Sequence, residues 1–287
     1  MAEEQKGVLY LCATPIGNLE DITMRALRVL REVDLIAAED TRHTRKLLSR
    51  YDIHTELTSY HRHNMRTKGP VLLDLLRSGK NIALVSDAGM PGVSDQGSEL
   101  VGIVLQEGCG VTAIPGPSAG ITALVVSGLP TESFVFIGFL PASAKARRER
   151  LRELQPQQGT LIFYEAPHRF RAMLADLYEL LGDRPAAAAR ELTKLHEEII
   201  RGSLAQLVDH FREKEPRGEF TLVVDGAGAE SLVKNASEWL HLSLAAHVAL
   251  VEAAGSGRKD ALREVARLRG ISRREVYHAV VVDEETE

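Results

Sequence analysis

The 287-residue chain carries 35 basic and 40 acidic side chains, for a net charge of −5, and is 44% hydrophobic and 26% charged. That composition is ordinary for a globular protein and excludes a generic polycationic nucleic-acid coat, though not a local basic face. No apolar run approaches the roughly 18 residues of a membrane span, and MAEEQKGVLYL lacks a basic segment ahead of an apolar one, so a cytoplasmic protein without membrane contact is expected.

GVLYLCA (7–13) is a continuous apolar run, the pattern of a strand covered on both faces. DITMRALRVLREVD then places Ile22, Ala26, Val29, Leu30 and Val33 on one helical stripe. DLIAAE (34–39) predicts a second strand and TRHTRKLLSRYD a second helix. NIALVS (81–86), a helix near 95–107 and GVTAI (110–114) complete an α/β unit with a mostly parallel sheet and right-handed crossovers. Cys12 and Cys109 fall in such apolar runs and read as buried thiols.

PGPSAG (115–120) breaks the chain, and a second alternating series follows: FVFIGF (134–139), TLIFYE (160–165), PAAAAREL (185–192), HEEII (196–200) and EFTLVVDG (219–226). Two α/β domains, 1–117 and 118–235, are expected, with a ligand cleft between them. Residues 236–287 differ in kind and read as helical throughout. Gly270 stands at a helix C′ position, and Ser272 with Glu275 forms a capping box, so 261–281 reads as a helix-turn-helix-like pair. It would serve either as a packed bundle or as a nucleic-acid dock. Basic residues cluster in RHTRKLLSR, HRHNMRTK, KARRERLR and RKDALREVARLRGISRR, as solvated helix faces or as contacts to an anionic partner.

The chemistry sits in the loops after strands. LVSDAGMPG matches neither the P-loop nor the dinucleotide fingerprint, and it carries Asp87 where a phosphate binder would place Lys. Asp87 follows a strand directly, at the carboxyl edge where open parallel sheets bind ligands; it could also simply cap its own turn. TPIGNLEDIT repeats Pro and Gly at such an edge, and PGPSAG sets Ser118 at a helix entry suited to a carboxylate. A small ligand with hydroxyls, a cation and a carboxylate fits these features. S-adenosylmethionine has all three and no phosphate.

YLCATPIGNLEDIT, DLIAAEDTRHTRKLL, SYHRHN, LVSDAGMPGVSDQG, IPGPSA, GFLP, FYEAPHR, RELTKLHEEIIRG and GEFTLVV occur in this order over nearly the whole chain. Together they closely resemble the ribosomal RNA small-subunit methyltransferase I family, a branch of the tetrapyrrole methylases. One departure is Gln96, where the family pattern would place Pro. The resemblance implies two α/β domains of the tetrapyrrole methylase type, an interdomain cofactor cleft, a small all-α C-terminal appendage and a homodimer. It further implies 2′-O-methylation of a decoding-centre cytidine in 16S rRNA of the small ribosomal subunit. Carried over by position, it implies S-adenosylmethionine contacts from Pro15, Ile16, Gly17, Asp87, Met90, Ser118, Ala119, Tyr164, Leu192 and Thr221. The polar residues of the RNA-branch motifs supply catalytic candidates: Lys194 first, as base or alkoxide stabiliser, then Glu165 and Asp40. Arg42, His43, His61, Arg147, Arg148, Arg169, Arg273 and Arg274 are the RNA-contact candidates. His61 and His63 have no third ligand nearby in sequence, so no metal is expected. A tetrapyrrole-acting enzyme and a catalytically idle binding protein are the rival readings.

Overall fold

The computed structural model describes residues 6–95, 97–228, 242–253, 256–269 and 271–284. The chain divides into two compact units, Met1–Gly226 and Ala227–Glu287. Gln96, Gly270 and the expected boundary at 235/236 lie outside the described residues.

The first half of the larger unit runs β1 (Val8–Cys12), α1 (Met24–Glu32), β2 (Leu35–Ala38), α2 (Thr41–Arg50), β3 (Leu57–Ser59), α3 (Met65–Arg77), β4 (Ile82–Val85), α4 (Gly97–Gln106) and β5 (Gly110–Ile114). The sheet order is β3-β2-β4-β1-β5, and every pairing is parallel. Thr23 starts α1 by accepting the Ala26 N–H at 3.1 Å. The predicted stripe Ile22, Ala26, Val29, Leu30 and Val33 is buried, packing with α2 on one sheet face. Helices α3 and α4 cover the other face through Leu72, Leu76, Leu100 and Val104. Fully buried aliphatic side chains of this kind each contribute about 1.5–3 kcal/mol.

This topology decides where a ligand can sit. β1 leads towards β2 on one side, while β4 leads to β5 on the other, with α1 and α4 on opposite faces. Neighbouring strands whose connections depart in opposite directions leave a crevice at their carboxyl ends. The crevice lies between the loops that follow β1 and β4.

The second half comprises α5 (Ala119–Ser127), β6 (Phe134–Phe139), α6 (Ala144–Leu154), β7 (Thr160–Glu165), α7 (Pro167–Leu181), β8 (Pro185–Arg190), β9 (Glu198–Ser203), α8 (Leu204–Glu213) and β10 (Phe220–Val224). Its sheet, β6-β7-β10-β8-β9, is mixed: β6 and β7 are parallel, and the remaining pairings are antiparallel. One face packs on α6, α7 and α8 around Phe163, Phe170 and Leu222. The other packs on α5, where Ile16 from the first half joins Ala123, Ile162, Leu192 and Val223. The two halves therefore share apolar contacts at the crevice.

Cys12 and Cys109 are free and buried. Burial pushes the Cys12 thiol up to about 12, against a weaker pull from Arg25. No helix among the described residues is long and apolar enough to cross a membrane.

The smaller unit contains helices Leu244–Ala253, Arg258–Arg269 and Arg273–Glu284. They enclose a core of their own built from Val248, Ala261, Leu262, Val265, Val276 and Val280. The capping box forms as read: Ser272 N–H donates to Glu275 at 2.7 Å, and Glu275 N–H donates to the Ser272 hydroxyl at 3.2 Å.

Candidate active site

The loops after β1 and β4 are laced into one rim. Thr14 and Gly89 exchange backbone hydrogen bonds of 2.9 and 3.0 Å, and the Thr14 hydroxyl donates to the Ser86 carbonyl at 3.1 Å. Gly89 and Gly92 have φ of 79° and 90°, a region that bulkier residues rarely adopt. The loop thus offers backbone to a ligand. Asp95 fixes its far end by accepting the Gly92 and Gly97 N–H groups, each at 2.7 Å. Asp87 accepts the Asp40 N–H at 3.0 Å and lines the crevice.

The opposite wall comes from the second sheet. Thr221 on β10 lies opposite Tyr164 on β7 and Ala189 on β8, so three strands present one row of side chains. The Gly120 N–H at the start of α5 donates to the Tyr164 hydroxyl at 2.9 Å. Burial pushes the Tyr164 phenol up, with the Gly120 N–H and the Ser118 hydroxyl pulling it partway back.

Between these walls is a cleft of about 580 Å³, within the range of small-molecule sites. Ile16, Asp87, Met90, Ser118, Ala119, Tyr164, Leu192 and Thr221 line it, as do Glu165 and Lys194. Pro15 is buried beneath. Gly17 abuts the RELTK segment: a Cβ there would lie 2.4 Å from Lys194 Cγ and 2.9 Å from the Leu192 carbonyl. Glu191 and Thr193, at φ 51° and 66°, flank Leu192 in the left-handed region. Bonds to Glu197, Lys194 and Glu219 N–H hold that strained turn.

Several side chains have settled partners that alter their expected roles. Lys194 Nζ donates to Glu191 at 2.9 Å and to Glu219 at 2.8 Å. Burial works to lower its pKa, but the Glu219 and Glu191 carboxylates outweigh it and hold the ammonium above the usual lysine value. The two carboxylates place an ammonium at the cleft wall. Asp40 caps α2 and pairs with Arg42 at 2.7 Å, which holds its carboxyl far below the usual range. Glu165 accepts the Ala166 N–H at 2.9 Å and faces Arg169 at 3.2 Å, outside hydrogen-bond geometry.

The RNA-contact candidates divide sharply. Arg147 is buried and bonds Asp176 at 2.7 Å. Arg148 bonds Asp176 at 2.7 Å and is clamped on Glu179. Arg169 donates to the Leu140 carbonyl at 2.7 Å. Arg147 and Arg148 tie α6 to α7 through Asp176 and Glu179, while Arg169, on α7, ties that helix to the segment after β6. Arg42 and His43 remain exposed, beside the crevice at the start of α2. His61, at the carboxyl end of neighbouring β3, keeps Nδ1 buried without a hydrogen-bond partner. Arg273 and Arg274 are exposed on the first turn of their helix, where cations oppose the helix dipole and local stability does not explain them.

Glu39 was not singled out from sequence, yet it lines the cleft. Burial raises its pKa, the Asp87 N–H lowers it, and the Asp87 and Asp95 carboxylates raise it further. A native pKa above the unfolded one means that ionised Glu39 opposes folding as pH rises through that window. Glu39→Gln should therefore raise stability at pH 7.5, with solvent screening keeping the gain to about 0.5–1 kcal/mol. The gain should vanish below about pH 4, where both states bind the proton. Thermal melts at the two pH values check this; equal gains at both would remove the carboxylate explanation.

The cleft suits S-adenosylmethionine on its own chemistry. Glu39, Asp87 and Asp95 favour a sulfonium and an ammonium, the glycine-rich rim admits close backbone contact, and Lys194, a lining cation, is already paired.

Residues 8–208 match the family model described as Tetrapyrrole (Corrin/Porphyrin) Methylases. The chain is 52% identical over 275 residues to "Ribosomal RNA small subunit methyltransferase I" of Halalkalibacterium halodurans, covering 96% of this chain and 95% of that one. It is 46% identical to the Bacillus subtilis protein of the same name, over 95% of this chain and 94% of the relative. A Thermotoga maritima relative, again of that name, is 48% identical over 77% of this chain and 99% of its own length. Among solved structures, a cobalt precorrin-4 methyltransferase matches with a TM-score of 0.59 at 18% identity, over 76% of this chain and 94% of that one. Diphthine synthase matches at 0.59 and 15%, over 77% and 90%. Both share the fold. With the motif loops gathered on one cleft and near-complete matches to these relatives, the chain belongs to the ribosomal RNA small subunit methyltransferase I family of the tetrapyrrole methylases.

Proposed function

We propose that this protein transfers the methyl group of S-adenosylmethionine to the ribose 2′-oxygen of a decoding-centre cytidine in 16S rRNA. It acts on the small ribosomal subunit in the cytoplasm, as a homodimer. The observation that carries this reading is the convergence of the AEDTRHT, DAGMPG, YEAPHR and RELTK segments on one cleft, in a chain 52% identical to a protein named for small-subunit rRNA methylation.

Bound in the cleft, S-adenosylmethionine supplies a methyl on an already activated sulfonium. The chain's residues then have three tasks. Asp87 and the rim of Gly89 hold the donor, while Tyr164, Leu192 and Thr221 shape the opposite wall. Holding acceptor and donor in line supplies most of the acceleration, as positioning alone can. The acceptor oxygen bonds the methyl as the sulfonium–methyl bond breaks, and its hydroxyl proton leaves to solvent. The Lys194 ammonium, with two donors committed to Glu191 and Glu219, turns its third to that oxygen and stabilises it as the proton departs. Arg42, His43 and His61 sit beside the crevice as a phosphate-facing rim, and the smaller unit carries its own RNA contacts, Arg273 and Arg274.

The test is incubation with small subunits lacking the modification and labelled cofactor, followed by mass mapping of the rRNA. One ribose-methylated cytidine is expected. Label on a base would remove the 2′-oxygen assignment, and no incorporation would remove the enzyme. Asp87→Ala should weaken cofactor binding by about 1.5–3 kcal/mol in calorimetry, the scale of a hydrogen bond to a charged group.

A further inference from the structure

Phe139, at the end of β6, has no part in the chemistry above. It is 56% exposed and lines the cleft. A lone exposed aromatic is ordinary, but this one is built into place. The β6–β7 register shifts between Phe136 and Gly138, and Gly138 has φ 70°. A glycine bulge of this kind re-aims the side chain that follows it. A Cβ on Gly138 would lie 2.7 Å from Ser94 Oγ, so the glycine also lets the loop between β4 and α4 approach this strand. Beyond Phe139 the backbone is pinned, because Arg169 Nη2 donates to the carbonyls of Leu140 at 2.7 Å and Pro141 at 3.2 Å. Arg169 in turn faces the buried Glu165. The ring touches Tyr164 edge-on, with centroids 5.8 Å apart at 65°, which leaves a face open.

A ribose hydroxyl can reach a methyl donor in a cleft only if its nucleotide leaves the surrounding stack, and the freed base then needs a new apolar face. Resting on the methyl-transfer reading, we propose that Phe139 is the stacking platform for the base of the acceptor nucleotide, with Glu165 and Arg169 as positioning residues that hold the platform rigid. Stacking tolerates any base, so Phe139 places the acceptor, and its identity is read elsewhere.

The experiment compares Phe139→Ala, Phe139→Leu and Phe139→Trp with the wild type in methylation of small subunits. Calorimetry with S-adenosylmethionine and light scattering run alongside. Phe139→Ala and Phe139→Leu should lose about 10–100-fold in kcat/KM through KM, while Phe139→Trp stays within about threefold. Cofactor affinity and molecular mass should not change. If Leu matches Phe, size and not stacking matters, and the proposal fails. A loss of cofactor affinity would move the ring to the cofactor's adenine, and a change in mass would move it to a subunit contact; either overturns it. If the wild type itself transfers no methyl, the parent reading fails and takes this one with it. A wild type that transfers, beside an unimpaired Phe139→Ala, sinks the platform alone.

Discussion

Lys194→Ala should slow single-turnover methyl transfer by on the order of 10²–10³-fold while leaving cofactor affinity within about twofold. The size follows from removing a charged donor that stabilises the acceptor oxygen as its hydroxyl proton leaves. Lys194→Arg separates the two roles open to this residue. A base must shed its proton, which guanidinium does not do, so Arg would be as inactive as Ala. An electrostatic stabiliser needs only charge, so Arg should recover at least a tenth of the activity. The bonds to Glu191 and Glu219 favour the second outcome, because they hold the proton on Lys194. The ammonium is needed in its charged form, so activity should fall as pH rises past the raised Lys194 pKa, above the ordinary lysine range. The ion pairs also stabilise the fold below the ordinary lysine pKa and are lost as pH rises through the raised one. Loss of activity in Arg equal to that in Ala, with a rate rising through alkaline pH, would restore the base.

Arg147→Ala should destabilise the larger unit by about 2–4 kcal/mol, measured by denaturant unfolding. Asp176 would be left buried with Arg148 as its remaining strong partner, held at 2.7 Å. That surviving contact is why the expected loss falls short of the full cost of an abandoned buried charge. The double variant Arg147→Met/Asp176→Leu should recover much of the loss, since a buried pair can often be exchanged for apolar packing. Binding of small subunits should keep its salt slope in both variants, because Arg147 faces the protein interior. A shallower slope with unchanged stability would return Arg147 to the RNA surface.

Arg147 also shows where the sequence could have been read further. Arg147, Leu151 and Leu154 recur at helical spacing and are all buried on α6, so the basic cluster carried its own core stripe. The strands were legible as short apolar runs between turn residues; FVFIGF, TLIFYE and GVTAI form within the expected bounds. α3 was not read, because Gly69 and Pro70 interrupt its pattern, and β3 spans only three residues, too few to show alternation. Strand direction in the second sheet was equally hidden, since the side-chain period is the same in parallel and antiparallel strands. The cleft loops were legible as motifs, but the pairing of side chains within them was not. Glu39 adjoined a more conspicuous Asp, and Phe139 had one available signal, the glycine placed just before it in an otherwise apolar strand.

The two thiols have a practical consequence. Cys12 and Cys109 are the chain's only cysteines, both are buried, and Cys12 stays protonated far above neutrality. The native chain should therefore be silent towards maleimides and similar reagents, which attack thiolates. A cysteine introduced on the exposed rim, at His43 for example, becomes a unique handle for a fluorophore or spin label without prior removal of native residues. Distances from that label to the ribosomal subunit can then be measured on a protein differing from the natural one at a single position.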